Sequence, residues 1–528
     1  MITLDSTGVF DMESPLILIP SISVVILIPS VCRDKIPMNT ALDFYKTLYG
    51  TISNSSRDAY VYSGERHSYA DMHREMTCIN SALSGISKKR IALFARKGFS
   101  TYNALFAILL SGNTWIPVNP DIPEARNLDM IRLAEPELIL IGDELSPEIA
   151  EYAAAKDCEV ITLEDLISAG EETEFIFEDF AEDDVAVIFF TSGSTGLPKG
   201  VPMTHGNYIP TVRNILHILP YQKGEVFGDY HDLGFVLSVG YLFTCVLTES
   251  AFCPAIEDVE RMAPIAHLIR NKITVLVTVP STMARIRTMK RDGIDDHSLR
   301  IICLAGEPLH LDILEYCFDK LGVDNVFDFY GSTEVGCWIF HHPCSRDDLD
   351  KYGDLGTVPI GRPLAGNEVR LSEQGELQIS GPQVTPGYLS GENTEKFLEI
   401  DDKCWFAMGD KVLERDGVYI CKGRLDSQVK IDGYRIELMD TEAHLRNLDG
   451  VDQAVCFVTQ VGGHDAIVAG LVGNRECQIQ EVREQMKEKL PSYMIPRKVF
   501  LIEKIPLNKS GKIDRIAVQA NYENMAKA

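Results

Sequence analysis

The stretch Thr191-Ser192-Gly193-Ser194-Thr195-Gly196-Leu197-Pro198-Lys199-Gly200 has the residue types that hold a polyphosphate. Glycines let backbone N–H groups turn toward one point, hydroxyls add donors, and Lys199 adds positive charge. The spacing is not that of a P-loop, because Lys199 is followed by Gly200 and not by Ser or Thr. An apolar run, Val185 and Val187 to Phe190, predicts a buried strand directly before it. That placement argues against a plain flexible surface loop. Four more stretches carry polar groups that a core does not need. Tyr330-Gly331-Ser332-Thr333-Glu334 follows the apolar run Val326 to Phe329, and Gly409-Asp410 follows Trp405-Phe406. Gly423-Arg424-Leu425-Asp426-Ser427-Gln428-Val429-Lys430 precedes Gly433-Tyr434-Arg435-Ile436-Glu437, and Pro506 to Arg515 includes Lys512. Singly each has a bland reading: Glu334 as a helix cap, Lys512 as a solvated surface lysine.

The elements that position these stretches follow from periodicity. From Thr40 to about Phe180, short apolar runs (Arg90 to Ala95, Trp115 to Val118, Leu138 to Ile141) alternate with helical patterns such as Tyr102 to Leu110. Residues 181–425 are read as continuing this alternation, with runs at Val275 to Val279, Ile301 to Leu304 and Val326 to Phe329. The expected fold is α/β: a large N-terminal domain of layered sheets and helices, with ligand residues at the carboxyl ends of strands. From about residue 426 a small mobile C-terminal α+β domain is expected, with apolar runs at Ala454 to Val458, Ile467 to Val472 and Val499 to Ile502. The domains are thus 1–37 as an extension, 38–425 and 426–528. The uncharged run Leu16 to Val31 is short for a spanning helix and follows Asp5, Asp11 and Glu13, so neither a signal peptide nor stable membrane insertion is expected.

A net charge of -27 over 528 residues, with no long basic run, excludes nucleic acid as an expected partner. Thirteen cysteines with no C-x-x-C spacing read as reduced, mostly buried thiols of a cytoplasmic protein.

Taken together and in order, these stretches resemble the adenylate-forming superfamily: acyl-CoA synthetases, peptide-synthetase adenylation domains and luciferases. The resemblance covers roughly residues 40–520. It implies that a carboxylate attacks the α-phosphate of ATP, and that a thiol then takes the acyl group from the adenylate. It also implies that Thr191, Ser192, Gly193, Ser194, Thr195, Gly196 and Lys199 grip the phosphates, with Thr195, Lys199 and Lys512 catalytic. Glu334 would hold Mg²⁺, a hard cation suited to oxygen ligands. Gly306, Glu307, Tyr330, Gly331, Ser332 and Thr333 would border the nucleotide, with Tyr330 against adenine, Asp410 on the ribose hydroxyls and Arg424 beside them. Lys512 would bridge the attacking carboxylate and the phosphate, and Asp426 would be the hinge. Met408 stands where the family usually has threonine, and Ser332 where peptide-synthetase domains usually have proline; neither removes a charged group.

The acid pocket is expected from His231 and Asp232 on one side and Phe329, Cys337 and Trp338 on the other. Two large aromatics leave little volume, unless Trp338 is an ordinary core residue. Asp232 suits a substrate ammonium, because a buried carboxylate without a cation is costly. His-Asp-x-Gly also occurs in long-chain acyl-AMP ligases, and a second register places Val236 in the key position. The aromatics favour a small amino acid, glycine before alanine, over an acyl- or aryl-CoA ligase activity. More narrowly, the chain resembles the stand-alone glycine–carrier protein ligases of lipid A modification, relatives of the D-alanine–carrier protein ligases. Only 16 residues follow Lys512, so the phosphopantetheine thiol of a separate carrier protein is the expected acceptor, with CoA as the alternative.

Overall fold

Every residue from Thr101 to Leu110 is buried. A helix that is apolar all round belongs inside a molecule rather than on its face, and Phe99–Leu110 lies between two sheets. The computed structural model describes residues 40–178, 181–193, 196–391, 394–426, 428–473, 479–506 and 513–527. The 1–37 extension, Ser194, Thr195 and Lys512 lie outside the described residues.

One sheet has six strands in the order Glu159–Thr162, Leu138–Ile141, Arg90–Phe94, Thr114–Val118, Val185–Thr191, Lys199–Thr204. The first five run parallel, as the strand–helix alternation predicts, and the last turns back antiparallel. The second has nine strands, with Val226–Asp229, Val275–Thr278, Ile301–Ala305 and Asn325–Tyr330 parallel through its centre. Ile91 and Leu93 from the first sheet and Val275 and Val277 from the second join the same core as the intervening helices. Their neighbours Ala92 and Leu276 face other clusters, as the two-residue strand period requires.

The predicted alternation stops earlier than residue 425. From Phe340 to Arg424 the strands pair antiparallel, and Glu368–Leu371, Glu376–Ser380, Lys403–Arg415, Phe397–Ile400 and Val418–Arg424 make a sheet of their own. The reason is a change of period: Leu377 and Ile379 are core residues two apart on one strand, with no α-helix among the described residues between this strand and its partner. This sheet sets Asp410 opposite Arg424.

The smaller C-terminal domain opens with the hairpin Gln428–Ile431 and Tyr434–Glu437. A three-stranded sheet follows (Val451–Val461, His464–Gly473, Lys498–Leu501), with the helix Leu438–Arg446 packed on its first strand. No helix among the described residues is long and apolar enough to cross a membrane. The eleven cysteines among the described residues are free, most of them buried.

Candidate active site

The hydroxyl- and glycine-rich stretch closes the antiparallel pair Val185–Thr191 and Lys199–Thr204, with Thr191 opposite Lys199. Gly193 has no room for a side chain, because a Cβ there would lie 2.1 Å from the Leu197 carbonyl oxygen. Lys199 is buried, 3.7 Å from a Glu437 carboxylate oxygen and 5.6 Å from the centre of the Tyr388 ring. Burial lowers its pKa against the opposing pull of Glu437.

The hairpin of the small domain is docked against this loop. The Ser192 hydroxyl donates to the Arg435 carbonyl (3.1 Å) and accepts from the Glu437 N–H (2.9 Å). Arg435 reaches on to Glu334, with Nη1 2.7 Å from Oε2, while the Tyr388 hydroxyl donates to Oε1 at 2.8 Å. Burial alone would raise the Glu334 carboxyl; the Arg435 guanidinium and then the Tyr388 hydroxyl outweigh it and hold the pKa at about 2. The hairpin turn is fixed by Glu307, whose carboxylate accepts from the Gly433 N–H (2.7 Å) and the Ser281 N–H (2.9 Å). Gly433 has φ +81°, and a Cβ there would sit 2.3 Å from Val279. Gly306 lies against the same turn.

Three of the expected nucleotide residues form one cluster. The Tyr330 hydroxyl and Arg424 Nη1 both donate to Asp410 Oδ2, at 2.5 and 3.1 Å. Lys430 lies over the Tyr330 ring, 5.4 Å from its centre. Arg424 also forks onto Asp426, at 2.8 and 2.6 Å, and Lys396 reaches the same carboxylate at 3.4 Å. The Gly331 turn folds so tightly that a Cβ would meet the Cys337 carbonyl oxygen at 1.8 Å. Ser332 stands at the start of the short helical turn Thr333–Val335 without a side-chain cap bond, and Thr333 is on the wall of a cavity between the two domains.

That cavity, about 660 Å³, is lined by Asp232, Val236, Lys97 and Trp115 from the large domain and by Tyr434 and Tyr493 from the small one. The two tyrosines stack at 3.8 Å and 3°. Asp232 is held by the Asn119 side-chain amide on Oδ2 and by the Gly234 N–H on Oδ1 (2.6 Å). Burial raises its pKa, with these two donors opposing. The nearby Lys97 binds Asp229, at 2.8 Å to the carbonyl and 3.3 Å to the carboxylate. Tyr102 and Tyr241 also donate to Asp229. His231 is buried and does not line the cavity; its Nε2 has no hydrogen-bond partner among the described residues, and burial lowers its pKa to about 4.

Phe329, Cys337 and Trp338 do not line this cavity; each is about 2% exposed, in the central core. Trp338 stacks on Phe329 at 4.0 Å and covers Gly240, where a Cβ would lie 2.6 to 2.9 Å from its ring. Sequence reasoning missed Arg126. It is buried, donates to the Gly196 carbonyl (3.1 Å), and pairs with the fully buried Asp440 of the small domain (3.2 Å). The only trace of this in the sequence is an arginine on what would otherwise be a packed helix face, Glu124–Ala134.

These residues suit an ATP-bound magnesium only in part as they stand. Glu334 is a carboxylate of the right kind, but a cation at Oε2 would face the Arg435 guanidinium. Asp410 can accept ribose hydroxyls, its Oδ1 having no partner among the described residues.

The AMP-binding enzyme family matches residues 53–389 and its C-terminal domain residues 440–512, and the chain belongs to that family of adenylate-forming ligases. It is 26% identical to a D-alanine--D-alanyl carrier protein ligase of Staphylococcus aureus over 88% of this chain and 96% of that one. It is also 29% identical to the delta-poly-L-ornithine synthetase of Acinetobacter baumannii over 88% of its own length, but spans only 35% of that synthetase. The chain covers about half or less of the length of the multidomain synthetases it matches. Among solved structures, the adenylation domain AlmE of Vibrio cholerae, in complex with glycyl-adenosine-5'-phosphate, shares the fold with a TM-score of 0.76. That likeness has 21% identity and covers 91% of this chain and 98% of that one.

Proposed function

We propose that this chain adenylates a small amino acid, glycine first and alanine second, and passes it to the phosphopantetheine thiol of a separate carrier protein. The observation that carries the reading is Asp232. Its carboxylate is on the cavity wall, oriented by Asn119 and Gly234, while the nearest cation, Lys97, is engaged by Asp229. A carboxylate placed this way has acceptor capacity left for an ammonium and gains from its charge. The preference for a small side chain rests on the sequence resemblance, since Phe329 and Trp338 stack in the core outside this cavity. The relative matched over 96% of its own length acts on D-alanine and a carrier protein, which favours an amino acid and a protein-borne thiol. The neighbour that holds glycyl-adenosine-5'-phosphate has the same architecture. A role in lipid A modification belongs to the same reading, resting on the sequence resemblance.

The docked hairpin gives the two half-reactions different arrangements. With Arg435 on Glu334 and the hairpin on Ser192, the phosphate loop is covered, which suits the step after pyrophosphate has left. For adenylation, Arg435 would withdraw, Glu334 would hold magnesium, and Lys512 would bridge the carboxylate and the α-phosphate. A cation fixed there stabilises charge as it shifts and holds the reactants in line. Asp426, between the Arg424 fork and the hairpin, is the pivot for this exchange.

A pyrophosphate-exchange panel tests the reading, using glycine, D- and L-alanine, larger amino acids, and aryl and fatty acids. Glycine is expected to drive exchange best. Exchange with an aryl or fatty acid and none with glycine would establish the acyl- or aryl-CoA ligase reading in its place. Lys512→Ala should nearly abolish exchange while ATP binding stays measurable.

A further inference from the structure

Beyond the nucleotide region, one end of the nine-stranded sheet gathers metal-ligating side chains that the adenylation chemistry does not use. The antiparallel pair Asn325–Tyr330 and Phe340–Pro343 sets Asp328 opposite His342, so both side chains leave the same face. Cys344 is two residues further on, with its N–H donating to the Val326 carbonyl at 2.9 Å. The chain then turns into Asp347–Lys351 and brings Asp348 back. His342 Nε2 lies 3.0 Å from Asp348 Oδ2, which also accepts from the Ser345 N–H at 2.7 Å. The ligand atoms of His342, Cys344 and Asp348 all lie within 4.8 Å of one another, and all three residues are buried. Asp328 is 4% exposed, and its Oδ1 has no hydrogen-bond partner among the described residues.

A packed core does not call for this set. A hydrogen-bonded His342–Asp348 pair would account for two of the four residues. It would leave Asp328 with a buried, unsatisfied oxygen, an uncommon and costly arrangement. His342, Cys344 and Asp348 share a buried space, and the Lys430 ammonium acts on Asp328 from the nucleotide side. A divalent cation would match the thiolate and carboxylate charge that one imidazole leaves over. Zinc takes this mixture of sulfur, nitrogen and oxygen ligands in tetrahedral geometry. Bonds of about 2.0–2.3 Å give tetrahedral edges of roughly 3.3–3.8 Å, so His342, Cys344 and Asp348 must close by up to about 1 Å, and Asp328, which stands outside that group, must turn in as the fourth ligand.

We propose that His342, Cys344, Asp348 and Asp328 form a structural zinc site, distinct from the magnesium position at Glu334. The strand Asn325–Tyr330 leads into the Tyr330–Glu334 turn and Phe340–Pro343 leads out toward this site, so the metal would staple both stems of the turn. Binding releases the Cys344 thiol proton to solvent, while a neutral His342 that coordinates through Nε2 carries its ring proton on Nδ1.

The full chain, purified without chelator, loaded with Zn²⁺ and desalted, is expected to retain about one zinc per chain. With Co²⁺ in its place, a thiolate-to-cobalt charge-transfer band is expected. Cys344→Ala should abolish that band, and Asp328→Asn should lower zinc retention against a chelator at least about tenfold. Wild-type protein that keeps no zinc after desalting overturns the proposal without any variant. A cobalt band unchanged in Cys344→Ala overturns it too, since another of the chain's thiols is then the ligand. If Cys344→Ala does not fold, Asp328→Asn decides: unaltered zinc retention removes Asp328 from the site and overturns the four-ligand assignment.

Discussion

Asp232 is a carboxylate with two donors already in place and a cavity in front of it. If it pairs with the substrate ammonium, Asp232→Ala should weaken glycine use by ~2–5 kcal/mol, the range for removing one partner of a buried charge pair. Exchange kinetics against glycine concentration measure this. An unchanged KM would move the recognition to the register in which Val236 faces the substrate. Its neighbour His231 gives a separate test through pH. Burial lowers the folded pKa to about 4, with Asp229 opposing and Lys97 and Arg285 reinforcing, whereas an unfolded histidine titrates at about 6.5. Between these values the unfolded chain binds the extra proton, so stability falls as pH drops from about 6.5 toward 4. The loss for this one residue is up to about 3 kcal/mol. His231→Gln should therefore flatten that part of the curve of melting temperature against pH.

Between elements, Trp338 and Gly240 act as a pair, one filling the space the other leaves. Trp338→Ala should cost about 3–5 kcal/mol of stability as a core deletion and leave specificity in the exchange panel unchanged, because Trp338 lies outside the cavity. A widened substrate range would show that its packing shapes the pocket after all. Gly240→Ala should cost about 1–3 kcal/mol by overpacking against the ring, read as a fall in denaturation midpoint. The strand before the phosphate loop and the turn at Glu334 were legible in the sequence, because an apolar run ending in hydroxyls and glycines has few other uses. The antiparallel sheet from Glu368 to Arg424 was not, since its strands are half-buried and their two-residue period competes with no helix to mark it. The burial of Trp338 and Phe329 was equally hidden: sequence places them near the pocket but cannot say which face of the strand or turn points inward. Glu307 was expected beside the nucleotide; in this arrangement its carboxylate holds the hairpin turn, a contact 126 residues away along the chain.

Across the whole molecule, Arg126 and Arg435 cross from one domain to the other. No local pattern announces such residues, because their partners Asp440, Glu334 and Gly196 lie far off in sequence and meet them only in the assembled fold. Both pairs are buried, and removing one member strands the other, at about 3–5 kcal/mol each. Arg126→Ala and Arg435→Ala should then slow loading of the carrier protein more than pyrophosphate exchange, because both contacts dock the small domain, one through its helix and one through its hairpin. Equal losses in the two assays would show that they serve general stability. The Glu334–Arg435 pair has one more consequence. If Glu334 is where magnesium binds, ATP with its metal and the docked hairpin compete for one carboxylate. Linkage is reciprocal: by whatever factor a docked carrier protein disfavours ATP, ATP disfavours the carrier. The same ion pair would then set the order in which ligands come and go, so that a carrier arriving early acts as a competitive inhibitor of the nucleotide.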